Sequence, residues 1–198
     1  MTSKPYASLT PVTLHSGTPC RTPSGWVPMA SIDDPAISVM TDFKEIAPVT
    51  IEPHFRINTA LTKMKVAGVR LLLVPDNEDN IVGIITAADI LSDLPLKKGQ
   101  QLEISHDDMD VEMIMTPLNR VLAVDMDTLR DSRVGHIISS LRKHERQHML
   151  VVETDELTRR HMIRGLFSTS QISRLIGRDI TDPEYAAHTL AEVCHELG

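Results

Sequence analysis

Two short segments carry the side chains best placed to do chemistry. Thr86-Ala87-Ala88-Asp89 and Ser168-Thr169-Ser170-Gln171 each set a hydroxyl three residues ahead of a carboxylate or an amide, where a predicted strand meets a predicted helix. That spacing makes a capping box, in which the hydroxyl and the N3 side chain satisfy free backbone N–H groups. The same helix end, with a free hydroxyl, is also a natural place to hold a polar ligand. A strand glycine precedes each copy by three residues, Gly83 and Gly165. Strand glycines often mark the close approach of another backbone or of a ligand. Cap and ligand cradle are both open readings of the pair.

A third segment, His144-Glu145-Arg146-Gln147-His148, spells the H-E-x-x-H of zinc peptidases. That chemistry needs both imidazoles on one face of a continuous helix, with the Glu as base and a further ligand nearby. An apolar strand beginning at Met149 should end the helix between the two histidines, and no H-x-x-G-x-x-H extension follows. The sequence holds no nucleophile–base arrangement and no Walker-type glycine loop. Binding rather than catalysis is expected, with no metal and no required cofactor.

The elements that must position these residues repeat. Met40-Thr41 opens one unit and Met115-Thr116 the next, 75 residues later. A β-branched stretch follows each, Pro48–Ile51 and Val121–Val124. Each then leads into an amphipathic helix, with Ile57, Ala60, Leu61, Met64 and Ala67 on one face of the first and Val134, Ile137, Ile138 and Leu141 on one face of the second. Apolar strands Leu71–Val74 and Met149–Val152 come next, each reversed by a polar turn into the strand that ends in a capping segment. One strand–helix–strand–strand–helix unit is too small to bury its own sheet. The expectation is an α/β fold in which two units pack about a pseudo-twofold axis around one shared core. The boundaries are an extended arm at 1–35, units at 36–98 and 111–178, a solvated acidic linker at 99–110 and a final helix at 179–198.

The arm holds six of the twelve prolines, together with Tyr6 and Trp26. It reads either as a loose tail or as an arm docked on its own body or a second subunit. Thr181-Asp182-Pro183-Glu184 starts the final helix, whose stripe of Tyr185, Leu190, Val193, Cys194 and Leu197 packs on the module or on another chain. With 41% hydrophobic and 24% charged residues among 198, a folded core is expected. A net charge of −7 argues against nucleic acid or an anionic membrane as the main partner. Two distant cysteines, Cys20 and Cys194, and the lack of a signal-like apolar run fit a reducing, cytoplasmic setting.

The unit resembles the cystathionine-β-synthase (CBS) domain, and the pair resembles the tandem CBS or Bateman module. The residues that carry the likeness are Met40-Thr41, Met115-Thr116, the run Gly68–Val74 and the two Gly-containing capping segments, across roughly residues 36 to 178. The resemblance implies a regulatory module that binds an adenosine-containing ligand (AMP, ADP, ATP or S-adenosylmethionine) and forms a homodimer. It implies a first site in which Asp89 takes the ribose hydroxyls, Thr86 faces the sugar–phosphate, Arg70 reaches phosphate, and Ile84, Ile85, Thr41 and Val49 line the adenine pocket. Lys63 and Lys65 are further candidates for phosphate. A second site comprises Ser168, Gln171, His148, Thr116 and Val121. There the amide of Gln171 stands where the family has an acid, so that site is either weaker or purely structural. The regulated partner is a separate protein or the module's own assembly. The alternative is an interaction or scaffold protein with vestigial sites.

Overall fold

The computed structural model describes residues 11–13, 16, 18, 29–155 and 159–181. Tyr6, Trp26 and the stripe expected on the final helix lie outside these residues. In the first half, the chain forms β1 (Thr41–Asp42), α1 (Ile57–Ala67), β2 (Leu71–Pro75), β3 (Ile81–Thr86), α2 (Ala87–Leu91) and α3 (Leu94–Leu102). In the second it forms α4 (Val111–Ile114), β4 (Thr116–Pro117), β5 (Ala123–Asp125), α5 (Met126–Arg130), α6 (Val134–Lys143), β6 (His148–Thr154), β7 (His161–Ser168) and α7 (Thr169–Ile176).

Local chemistry accounts for these boundaries. Gly68 takes φ +67° and ends α1, a left-handed turn that glycine adopts without a Cβ penalty. Ile57, Ala60 and Met64 are buried on the face predicted for α1; Leu61 is half-buried and Ala67 is exposed. All four apolar residues predicted for α6 are buried. The Asp76 carboxylate accepts from the N–H groups of Glu78 and Asn80 and so closes the β2–β3 turn. Those two bonds hold its carboxyl below the usual carboxylate range.

The strands form two small sheets, β2-β3-β4 and β1-β7-β6-β5. In each, the strand at the start of one unit has crossed to the other unit. β1 pairs antiparallel with β7, Thr41 opposite Leu166, while β4 pairs antiparallel with β3, Thr116 opposite Ile84. The two strand glycines exist for this crossing. A Cβ on Gly83 would lie 2.8 Å from the carbonyl oxygen of Thr116, and one on Gly165 would lie 2.7 Å from that of Thr41.

The segments leading into these strands cross as well. Ala30, Ala36 and Val39 are buried with Val134, Ile137 and Phe167, and the Val134 N–H donates to the Asp34 carbonyl at 2.9 Å. Ala30 and Ile32, in the stretch assigned to the arm, thus pack into the core of the second half. Likewise Met109 and Val111 are buried with Ile57 and Met64 of the first half. The acidic linker is exposed at residues 105–108 and held at its end: the Arg56 guanidinium donates to the Asp108 carbonyl and, at 2.9 Å, to the Asp110 carboxylate. The two sheets meet face to face through Leu71, Leu73 and Ile84 on one side and Leu150, Ile163 and Leu166 on the other. These residues form a third, smaller cluster between two half-cores, so the units share an inter-sheet contact where the sequence calls for one common core.

Candidate functional site

Thr86 ends β3 and caps α2. Its hydroxyl accepts from the Asp89 N–H at 3.1 Å, while Asp89 Oδ2 accepts from the Thr86 N–H at 3.0 Å and its hydroxyl at 2.6 Å. One carboxylate oxygen is thereby committed to the cap. Asp89 Oδ1 has no hydrogen-bond donor among the described residues, and the side chain lines a crevice of about 210 Å³.

The exchanged strand supplies the opposite wall. Thr116, at the start of β4, and Val121 and Leu122 just beyond it face Ile84, Thr86 and Asp89. The turn between α6 and β6 closes the remaining side with Arg146, Gln147 and His148. Three residues assigned to a second site, Thr116, Val121 and His148, therefore gather around Asp89. The cause is the strand crossing, which carries each unit's opening residues into the other unit's crevice.

The remaining assignments divide in the same way. Thr41, expected beside Asp89, instead donates its hydroxyl to Gln171 Oε1 at 3.1 Å. Ser168 caps α7 by accepting from the Gln171 N–H at 3.3 Å. The second capping segment thus meets β1, and the Gln171 amide is engaged with Thr41. Ile85 is fully buried with Ile57 and Met64, because alternate strand residues point to opposite faces and only Ile84 faces the crevice. Val49 packs against the first-half core, its carbonyl accepting from the Leu73 N–H. Arg70 lines a different hollow, beside α7. Lys63 and Lys65 are exposed on α1 and line neither space.

Two cations that sequence reasoning passed over, Arg120 and Arg146, line the crevice with Asp89. Arg120 follows the Met115-Thr116 signature by four residues, and Arg146 lies inside the H-E-x-x-H segment. That segment forms no zincin helix. α6 ends at Lys143, Glu145 turns at φ +53°, and His148 begins β6. Burial pushes His148 down to about 4; nearby Asp89 opposes the shift and Arg70 adds to it. The imidazole is accordingly neutral at pH 7. The crevice therefore offers the unengaged Asp89 oxygen, the Glu145 carboxylate, two hydroxyls, the Gln147 amide, a neutral imidazole and two guanidinium groups between apolar walls. This arrangement suits a ligand with an apolar ring, vicinal hydroxyls and an anionic end.

Comparison with known proteins agrees with the architecture. Residues 36–95 match the family model of the CBS domain. A conserved protein of Pyrococcus horikoshii has 21% identity and a TM-score of 0.51, covering 72% of this chain and 92% of its own. A CBS-domain protein of Agrobacterium tumefaciens has 16% identity and a TM-score of 0.50, covering 71% and 91%. A CBS domain pair whose structure holds 5′-methylthioadenosine and S-adenosyl-L-methionine has 22% identity and a TM-score of 0.46, covering 71% and 97%. Among curated proteins, none matches. Residues 36–95 match the CBS-domain family, and the chain shares its fold with CBS-domain proteins.

Proposed function

We propose that the protein is a regulatory binding module for an adenosine-containing ligand, held in the crevice beside Asp89. The supporting observation is that Asp89 Oδ1, Thr86, Thr116 and His148 converge there with Arg120 and Arg146 between apolar walls. In this reading Oδ1 takes the two ribose hydroxyls, as an ionised carboxylate is an acceptor-only group able to receive two donors. Ile84, Val121 and Leu122 contact the base, and the two arginines face the phosphates. AMP, ADP and ATP are the candidate ligands, with S-adenosylmethionine as the alternative. The module acts through its own dimer or on a protein partner.

The second half is read as structural, because Gln171 is already bonded to Thr41. One site per chain is the expectation. Calorimetric titration with the four ligands tests it, and Asp89→Asn is the informative variant. Alanine would also remove the cap acceptor, at a cost of about 1 kcal/mol, whereas Asn keeps an oxygen for Thr86. The variant should melt near the parent and bind at least about tenfold more weakly. A ligand at 100 Kd should stabilise the parent by about 2.7 kcal/mol. If none of the four changes stability at millimolar concentration, the reading fails and an interaction module with vestigial sites takes its place.

A further inference from the structure

The turn that closes α6 is built like the turn that closes α1. The Val69 N–H donates to the Met64 carbonyl at 3.0 Å, and the Arg146 N–H donates to the Leu141 carbonyl at 2.9 Å. Gly68 and Glu145 therefore hold the same place in the two halves. Both take a left-handed backbone, Gly68 at φ +67° and Glu145 at φ +53°. Glycine adopts that conformation freely, whereas a residue with a Cβ is strained there. Strain of this kind clusters at functional sites. The first half carries the residue that the turn favours. The second carries a glutamate instead, and its side chain lines the Asp89 crevice.

Glu145 changes the electrostatics of that crevice. Among the described residues lining it, Arg120 and Arg146 are the cations, Asp89 and Glu145 the carboxylates, and His148 is neutral. Arg70 acts on His148 from the neighbouring hollow and does not line this one. Arg120, Arg146 and Glu145 are exposed, and none of the three has an ion pair or a side-chain hydrogen bond among the described residues. Taken as a sphere, the crevice of about 210 Å³ is about 7 Å across, within one Debye length at physiological salt. An anion drawn in by the guanidinium groups therefore also feels the Glu145 carboxylate. Two positive charges against two negative ones leave little surplus for a tail with several anionic groups. The volume also falls below the ~300–1,000 Å³ of sites that bury a drug-sized ligand.

We infer that Glu145 is a specificity-determining residue, whose carboxylate repels added phosphates and restricts the crevice to a nucleoside bearing a single phosphate. The inference rests on the Asp89 crevice being the ligand site. Each further phosphate brings more negative charge to the same carboxylate, so ADP and ATP are penalised more than AMP. Selectivity then comes from an unfavourable contact with the wrong ligand rather than from an extra contact with the right one.

Calorimetric titration of the full chain with AMP and ATP in magnesium-free buffer tests this, comparing the parent with Glu145→Gln and Glu145→Gly. The parent should bind AMP at least about tenfold more tightly than ATP, and each substitution should cut that ratio about tenfold. Added salt should narrow the parent's preference. Glu145→Gly should melt no lower than the parent, because glycine relieves the turn, so its lost preference would not reflect unfolding. An unchanged ratio in either variant, or a parent that prefers ATP, overturns the inference. So does ATP binding that needs Mg²⁺ and is lost in Glu145→Gln, because the carboxylate then holds a cation. Binding of S-adenosylmethionine that is lost in Glu145→Gln overturns it too, because the carboxylate then takes the ligand's ammonium group. Asp89→Asn separates the two levels. Loss of AMP binding in that variant, with an unchanged AMP-to-ATP ratio in the Glu145 variants, defeats this inference alone, whereas a parent that binds neither nucleotide defeats both.

Discussion

His148 shows how a side chain's neighbours set its role. It shares the crevice with Asp89, which would favour a charged imidazole, yet burial outweighs that attraction and lowers its pKa to about 4. The unfolded chain protonates the same group near 6.5. Between those values, acidification adds a proton to the unfolded chain but not to the folded one. Stability should therefore fall as the pH drops from about 6.5 to about 4, by on the order of 3 kcal/mol in all, and level off below. Urea denaturation at half-unit pH steps measures this. His148→Asn should flatten the slope in that window, and an unchanged slope would move the effect to another group. The sequence places His148 opposite Arg70 in the repeat but is silent on its protonation, which depends on packing between halves. For Asp89 the capping role was legible, because both partners lie within three residues.

At the scale of elements, the two-residue strands β1 and β4 decide which residues share a crevice. Each is too short to carry a pattern of its own, so its partner cannot be read from periodicity. The flanking chemistry makes the crossing secure. Arg164, 12% exposed, pairs with Asp42 on β1 and with Glu153 on β6 at 3.1 Å. Gly165→Ala should force the Thr41 carbonyl and the Met40 side chain outward, since both lie within 3.0 Å of the new Cβ. A loss of about 1–3 kcal/mol is expected, with faster amide exchange at Phe43, whose N–H donates to the Arg164 carbonyl. Gly83→Ala should behave alike through Thr116. Gly68→Ala meets nothing within 4 Å, so its cost comes from the left-handed φ alone and should leave exchange at Phe43 unchanged. The glycine signal was visible in the sequence, but its choice between a backbone and a ligand was not; in both halves the neighbour is a backbone carbonyl.

For the whole molecule, the crossings mean that neither half owns its complete core. Segment 29–42 belongs to the second body and segment 109–117 to the first, while Leu150, 1% exposed, packs against Leu71 and Leu73 across the sheets. Unfolding should accordingly be a single transition. Leu150→Ala should lower the stability of both halves together by about 2–5 kcal/mol, seen as one shifted midpoint whether followed by circular dichroism or by exchange in α1 and α6. Two separate midpoints would show that the halves fold apart.

The sequence by itself determined the repeat, the amphipathic faces of α1 and α6, the hairpins and the capping segments. Each of these rests on contacts among residues a few positions apart, which periodicity and spacing record. Only the tertiary structure decided that Thr116, Val121 and His148 join Asp89 and that Thr41 joins Gln171. It alone put Arg120 and Arg146 in the crevice and Arg70 at the hollow beside α7. Those meetings join residues far apart in the chain through strands of two residues, and pairings so short and so distant leave no local trace.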